Sequence, residues 1–216
     1  TRELIVQQGH AVVGAAVDTK HQTFLDLRLN NDGRIAYSGL MSGPLISSSN
    51  NQGIFVSRPG GVDMVAQEGQ TPDFTQLSAP SFSNSGAVAF GSLDDGVGAG
   101  ALAQVWTNRA GSLQQIHTSL GAMPAPVINS AGDVAFRHFA GEVAPGVEGY
   151  SVSVLPGPGS SASPPAGWPT APDPSGYGAV VNASIPVLNS HGHVAFTTQF
   201  TYETGLGSSG IVADGA

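Results

Sequence analysis

The residues able to do chemistry in this chain are few and widely spaced. Histidine occurs six times, as His10, His21, His117, His138, His191 and His193. His191 and His193 flank Gly192, and alternate residues of a strand point the same way, so an H-x-H pair can offer two imidazoles to one metal ion. Equivalent positions in the other copies of the surrounding pattern are Asp32 and Arg34, Ser85 and Ala87, and Ala131 and Asp133. That variation reads as a polar turn, and no metal site is predicted. Asp94-Asp95-Gly96 carries the hard oxygens Ca²⁺ prefers, but without EF-hand spacing it reads as an ordinary turn. The 15 acidic residues include no diagnostic carboxylate pair, since the separation a glycosidase needs is a property of the folded chain. There is no G-x-S-x-G elbow, P-loop or dinucleotide fingerprint. With no Cys, thiolate nucleophiles, thiolate zinc sites and disulfides are excluded. No catalytic residue and no cofactor is predicted. The residues singled out for binding are Trp168 and Tyr177, rings on or beside a Pro- and Gly-rich segment, where an aromatic can stack on a sugar or anchor an interface. Trp106 sits on an apolar strand and reads as core. Asn182-Ala183-Ser184 is a formal glycosylation triplet.

Whatever these residues do, a repeat must position them. Residues 126–136 read PVINSAGDVAF and residues 186–196 read PVLNSHGHVAF. Residues 80–90 match with Ser83 in place of Asn, and residues 27–37 are a looser copy. The anchoring glycines, Gly33, Gly86, Gly132 and Gly192, stand 53, 46 and 60 residues apart. In each copy a short strand rises to Asn, whose side chain can bond the local backbone. Gly then supplies a positive φ, and a second strand follows: a β-hairpin. The ring ending each hairpin, Tyr37, Phe90, Phe136 or Phe196, is expected to fill the seam between neighbouring units. A further apolar strand follows each hairpin (Ile54-Phe55-Val56, Val105-Trp106, Val152-Ser153-Val154, Ile211-Val212). A fourth strand often comes next, as at Met64-Val65-Ala66-Gln67 and Gln115-Ile116-His117.

About four strands in ~50 residues is the size of a propeller blade. The predicted fold is all-β: one repeat-built domain over residues 1–216, propeller-like with about four blades. The last copy stops after its third strand, and Glu3-Leu4-Ile5-Val6-Gln7-Gln8-Gly9 resembles the missing one. The N-terminal strand is therefore expected to close the ring, or in an open array to pair with a neighbouring molecule. Residues 156–178 hold seven of the 15 prolines. Proline cannot serve a central strand or helix interior, so this is read as an inserted surface loop.

Composition supports the class. Charged residues are 10% of the chain against a usual ~25%, with 30 Gly and 15 Pro, which suits short strands and turns. Net charge is −8. The seven cations (Arg2, Lys20, Arg28, Arg34, Arg58, Arg109, Arg137) are scattered, so no nucleic-acid partner is expected. No apolar run approaches the ~20 residues of a membrane-spanning helix. No secretory signal or anchor is visible, and the start at Thr1-Arg2-Glu3 without Met reads as a processed, trimmed or partial chain.

The N-x-x-G-x-V-A-F repeat, followed by a G-I-F-like strand and a V-A-x-x-G turn, resembles the tandem-repeat, propeller-like proteins of bacterial surfaces that carry a choice of C-terminal anchors. That resemblance covers most of the chain outside residues 156–178. It implies a secreted or cell-surface location and supplies no catalytic residues. The function expected is a non-enzymatic extracellular structural or binding module, able to assemble as a homo-oligomer or filament through its terminal strands. Two alternatives stand beside it: a lectin-like propeller using Trp168 and Tyr177 on a glycan, and a polysaccharide hydrolase or lyase.

Overall fold

The computed structural model describes residues 4–70, 74–94, 101–144, 147–157, 180–201 and 207–213. Those residues contain β-strands and no helix, arranged in four antiparallel sheets that follow one another along the chain. The first sheet comprises β1 (Lys20–Leu29), β2 (Ile35–Ser42), β3 (Gln52–Arg58) and β4 (Gly61–Gln67), hydrogen-bonded in that order. The second comprises β5 (Gln76–Leu77), β6 (Ser81–Phe82), β7 (Val88–Asp94), β8 (Leu102–Thr107) and β9 (Gln114–Leu120). Both short strands pair with β7. The third comprises β10 (Val127–Ile128), β11 (Val134–Ala144) and β12 (Val147–Leu155). The fourth comprises β13 (Val180–Ala183), β14 (Val187–Leu188), β15 (Val194–Thr201) and β16 (Gly207–Ala213).

Each sheet contains the same turn. The backbone N–H of Gly33, Gly86, Gly132 and Gly192 donates to the carbonyl of the residue three before it, at 3.2, 3.1, 3.1 and 3.2 Å. All four glycines have positive φ, between 77° and 87°, a conformation that costs a side-chain-bearing residue and not Gly.

Alternation along the strands gives every sheet two different faces. Ala36, Ile54, Val56 and Ala66 of the first sheet pack against Val88, Phe90 and Trp106 of the second. Ala89 and Val105 of the second pack against Val134 and Phe136 of the third. Ala135, Val152 and Val154 of the third pack against Val194 and Phe196 of the fourth. The rule is constant: an aliphatic face centred on Ala receives the ring-bearing face of the next sheet. The Phe and Trp rings make these seams the main apolar burial, at about 2–3 kcal/mol for a fully buried Phe.

The first sheet's ring-bearing face has no sheet before it. Tyr37 and Phe55 stack there at 5.0 Å, and the chain's own start covers them. Val12 joins their cluster, with Val6 and Ala15 packed against it. The Gly9 N–H donates to the His21 carbonyl at 2.8 Å and the Val12 N–H to the Thr19 carbonyl at 2.9 Å. Residues 4–9 form no strand. They lie against the first sheet, so the expected completion of the fourth sheet by an N-terminal strand is not what the chain does there. The apolar side chain of Val6 is better buried over Tyr37 and Phe55 than on a sheet edge. Among the described residues no sheet is closed on itself, no core cluster joins the fourth sheet to the first, and β16 pairs with β15 alone.

Candidate functional site

The sheet-to-sheet seams concentrate the chain's polar chemistry. The turn Asn is the first element. Asn30 Oδ1 accepts from the Asp32 and Arg34 N–H groups, Asn129 Oδ1 from Ala131 and Asp133, and Asn189 Oδ1 from His191 and His193, all between 2.9 and 3.1 Å. The same amide also reaches forward. Asn30 Nδ2 donates to the Ser83 carbonyl at 3.3 Å, and Asn129 Nδ2 to the Asn189 carbonyl at 2.9 Å. The residue that shapes one turn therefore ties it to the next. Ser83 is too short to do both, and its hydroxyl serves only its own turn, accepting from the Ala87 N–H at 3.0 Å.

Arginine is the second element. Arg34 lies 5.8 Å from the Phe82 ring centroid across the first seam, and Gly86 leaves room for its guanidinium. Arg109 donates across the second seam to the carbonyls of Gly132 at 2.9 Å and Leu155 at 3.2 Å. Its burial lowers its pKa, which the Asp133 carboxylate partly offsets. Asp133 is itself buried, and accepts from Asn129 Nδ2 at 2.7 Å and the Gly157 N–H at 2.8 Å. Arg137 crosses the third seam to the Ala183 carbonyl at 2.9 Å and stands 4.8 Å over the Tyr150 ring. Three of the cations that look scattered in sequence are thus seam clamps.

Beside Arg137 the third seam holds a cavity of about 170 Å³ lined by Arg137, Ala183, Ser184, Thr197, Thr198 and Gln199. Ser184 Oγ donates to the Ile185 carbonyl at 3.2 Å and accepts from the Thr197 N–H at 3.0 Å. A guanidinium, hydroxyls and an amide around a space of that size suit a small, polyhydroxylated or anionic solute. No nucleophile–base pair lines it.

The histidines divide in two. His117 and His138 meet at the second seam with ring centroids 4.8 Å apart, and His117 also lies 4.7 Å from the Phe136 ring. Burial lowers the pKa of His117. Burial, and secondarily the neighbouring His117, pushes His138 down to about 4. His117 Nε2 is buried without a partner, and His138 Nδ1 lies 3.4 Å from Ser153 Oγ. At the first sheet, burial and His10 lower the pKa of His21, which stacks edge-on to Phe55 at 4.9 Å. Its Nδ1, the Tyr37 hydroxyl and the Thr19 hydroxyl are buried without partners. His191 and His193 are exposed in their turn, with rings 6.5 Å apart. Among the described residues no group of three or more His, Asp or Glu is placed to hold a metal ion.

Trp168 and Tyr177, and most of the loop 156–178 that carries them, lie outside the described residues, as does the Asp95-Gly96 end of the acidic turn. Tyr37, Phe90 and Phe136 are at most 1% exposed and Phe196 is 7% exposed. Phe90, Phe136 and Phe196 stand in seams between sheets, whereas Tyr37 lies under the N-terminal segment. Trp106 is also in the first seam, its Nε1 donating to Ser92 Oγ and Gln104 Oε1 at 3.0 Å each. Sequence reasoning missed the arginine clamps and the buried His117–His138 pair. Arg34, Arg109 and Arg137 occupy different positions within their units, so no periodicity marks them.

No helix of the described residues is long and apolar enough to cross a membrane, which leaves β-barrels unaddressed. No curated protein matches the chain. A solved structure, a hypothetical protein from Leishmania major, is similar at 13% identity with a TM-score of 0.36. The match covers 88% of this chain and 63% of that one, so the chain spans less than two thirds of its length. The pattern of a family of unknown function, DUF7453, matches residues 1–214, and the chain belongs to that family.

Proposed function

With membership of a family of unknown function as the premise, we propose that this chain is a non-enzymatic structural or binding module of a secreted or bacterial cell-surface protein, its four sheets arranged as propeller-like blades. The observation that carries this reading is the seam rule. The polar groups with unusual environments (Arg109, Asp133, His117, His138) are spent on joining sheets, and the same joining face recurs in every unit. A chain organised this way invests in stacking, and its function is to present or extend a surface. Light scattering on the purified chain across a wide concentration range tests the structural version. Growth of mass with concentration supports it, and a monomer at every concentration removes it.

A second reading has its own observation, the polar cavity beside Arg137. There the chain would bind a glycan of monosaccharide size at the engaged end, with acidic sugars preferred for the guanidinium. A glycan array tests this. Hits that Arg137→Gln abolishes support it, and an array without hits ends it.

A further inference from the structure

The outer face of the fourth sheet repeats, at its Ala and its paired aliphatic residue, the face that three other sheets bury. In register terms Ala36, Ala89, Ala135 and Ala195 are equivalent, and so are Ile54, Val105, Val152 and Ile211, each paired with the residue two beyond its Ala. The first three alanines are 0% exposed, and Ile54, Val105 and Val152 are 0%, 0% and 3% exposed beneath the next sheet. Ile211 is 80% exposed. Val187, the cross-strand partner of Ala195, is 66% exposed, whereas its counterpart Val127 packs into the third seam. Asn189 is exposed where Asn30 and Asn129 are buried and reach the following turn. The aliphatic face and the turn Asn that receive a next unit are present, without an arginine clamp, and among the described residues no next sheet covers them.

The opposite end of the stack is also apolar. Thirteen large apolar side chains are exposed among the described residues. Nine fall within residues 4–45 and three within residues 185–211, while the two middle sheets contribute only Leu120. At the first end Val13, Val17 and Leu29 are 60%, 79% and 66% exposed. Val13 and Val17 belong to the segment that covers Tyr37 and Phe55, and Leu29 pairs with Ile35 of the same covered face. Water-exposed apolar surface gathered at two places on one molecule marks interaction sites. The exposed last face, Val187, Ala195, Thr197, Gln199, Ser209 and Ile211, carries no charge to oppose burial.

We infer that the Ala195–Ile211 face of the fourth sheet docks the first end of a second copy of this chain, head to tail. The inference rests on the structural reading above and names its interface. The occupant follows from continuity: within the chain this aliphatic face always receives the leading face of the following unit, and a second copy's leading end is the surface around Val13, Val17 and Leu29. Unlike faces meeting head to tail form a ring or an open series rather than a twofold pair. The joint is made by sheet faces, not by pairing of terminal strand edges.

The test exploits a chain without cysteine. Ile211→Cys and Val17→Cys are made separately, in full-length protein, and incubated under mild oxidation alone and mixed. A disulfide-linked dimer in the mixture, far exceeding that in either variant alone, is expected. Efficient linking of Ile211→Cys alone would mean twofold face-to-face pairing, and absence of linking in the mixture would mean no such contact; either overturns the inference. In light scattering, Ile211→Glu is expected to weaken association at least tenfold and Ile211→Val to preserve it, with far-UV circular dichroism unchanged in both. Association that ignores Ile211→Glu overturns the head-to-tail face and leaves the structural reading standing. A wild-type chain that is monomeric at every concentration overturns both.

Discussion

The seam between the second and third sheets and the outer face of the fourth share one aliphatic pattern centred on Ala, but only the first is covered and carries an arginine clamp. At the covered seam Phe136 is 0% exposed, Arg109 bridges to two carbonyls, and His117 and His138 are held neutral; at the next covered seam Asn129 ties its turn to that of Asn189. On the open face Ile211 stands in water and Asn189 serves only its own turn. The comparison teaches that the motif encodes a joint, and that the value of each residue in it depends on whether the joint is made.

Substitutions at covered and at open positions should therefore differ in cost, and the largest difference is apolar. Phe136→Ala empties a closed seam and should cost about 3–5 kcal/mol, whereas Ile211→Ala in dilute solution should stay within about 0.5 kcal/mol. Urea denaturation of both variants measures the gap, and similar costs would break the comparison. Next is the clamp. Arg109→Ala removes two charge-assisted hydrogen bonds and should cost about 2 kcal/mol. Arg58→Ala removes an exposed ion pair with Asp63 and should cost under about 0.5 kcal/mol.

The buried imidazoles give the covered seam a pH dependence. His117 and His138 titrate lower in the folded chain than when unfolded. The unfolded chain therefore takes up protons first as pH falls. Their contribution is intact above about pH 6.5 and is lost as the pH drops from there towards about 4. With the effect discounted for partial exposure, Tm at pH 4.5 should lie roughly 4–8 °C below that at pH 7.5. His138→Phe should flatten that dependence. The smallest contrast is the amide. Asn129→Ala loses a forward bond in addition to its turn bonds and should cost about 1 kcal/mol more than Asn189→Ala, read by thermal unfolding at neutral pH.

Much of this is legible in the chain. The period-two alternation around Val88-Ala89-Phe90 and Val134-Ala135-Phe136 specifies a strand with two unlike apolar faces, and the Asn-x-x-Gly spacing specifies the turn before it. The clamps are not legible. Arg34, Arg109 and Arg137 reach across seams from different registers, and only the distance between sheets shows that a ring lies within reach of the first and a carbonyl within reach of the other two. His117 and His138 are 21 residues apart on β9 and β11, with nothing in their neighbourhoods to pair them. The N-terminal segment departs from the expected strand for a physical reason. Leu4-Ile5-Val6 has the composition of a strand, but composition does not say which apolar surface a strand-like segment will cover, and the exposed rings of Tyr37 and Phe55 offered more burial than an edge.

Local pattern determined the strands, the turns and the two-faced character of each sheet, because side-chain alternation and the positive φ of Gly33, Gly86, Gly132 and Gly192 act over a few residues. Tertiary structure alone decided which faces meet, which cations become clamps, which histidines stay neutral, and that the Ala195–Ile211 face is left open. Those outcomes depend on distances between residues far apart in the chain, and burial, which sets the energy of each, exists only once the sheets have stacked.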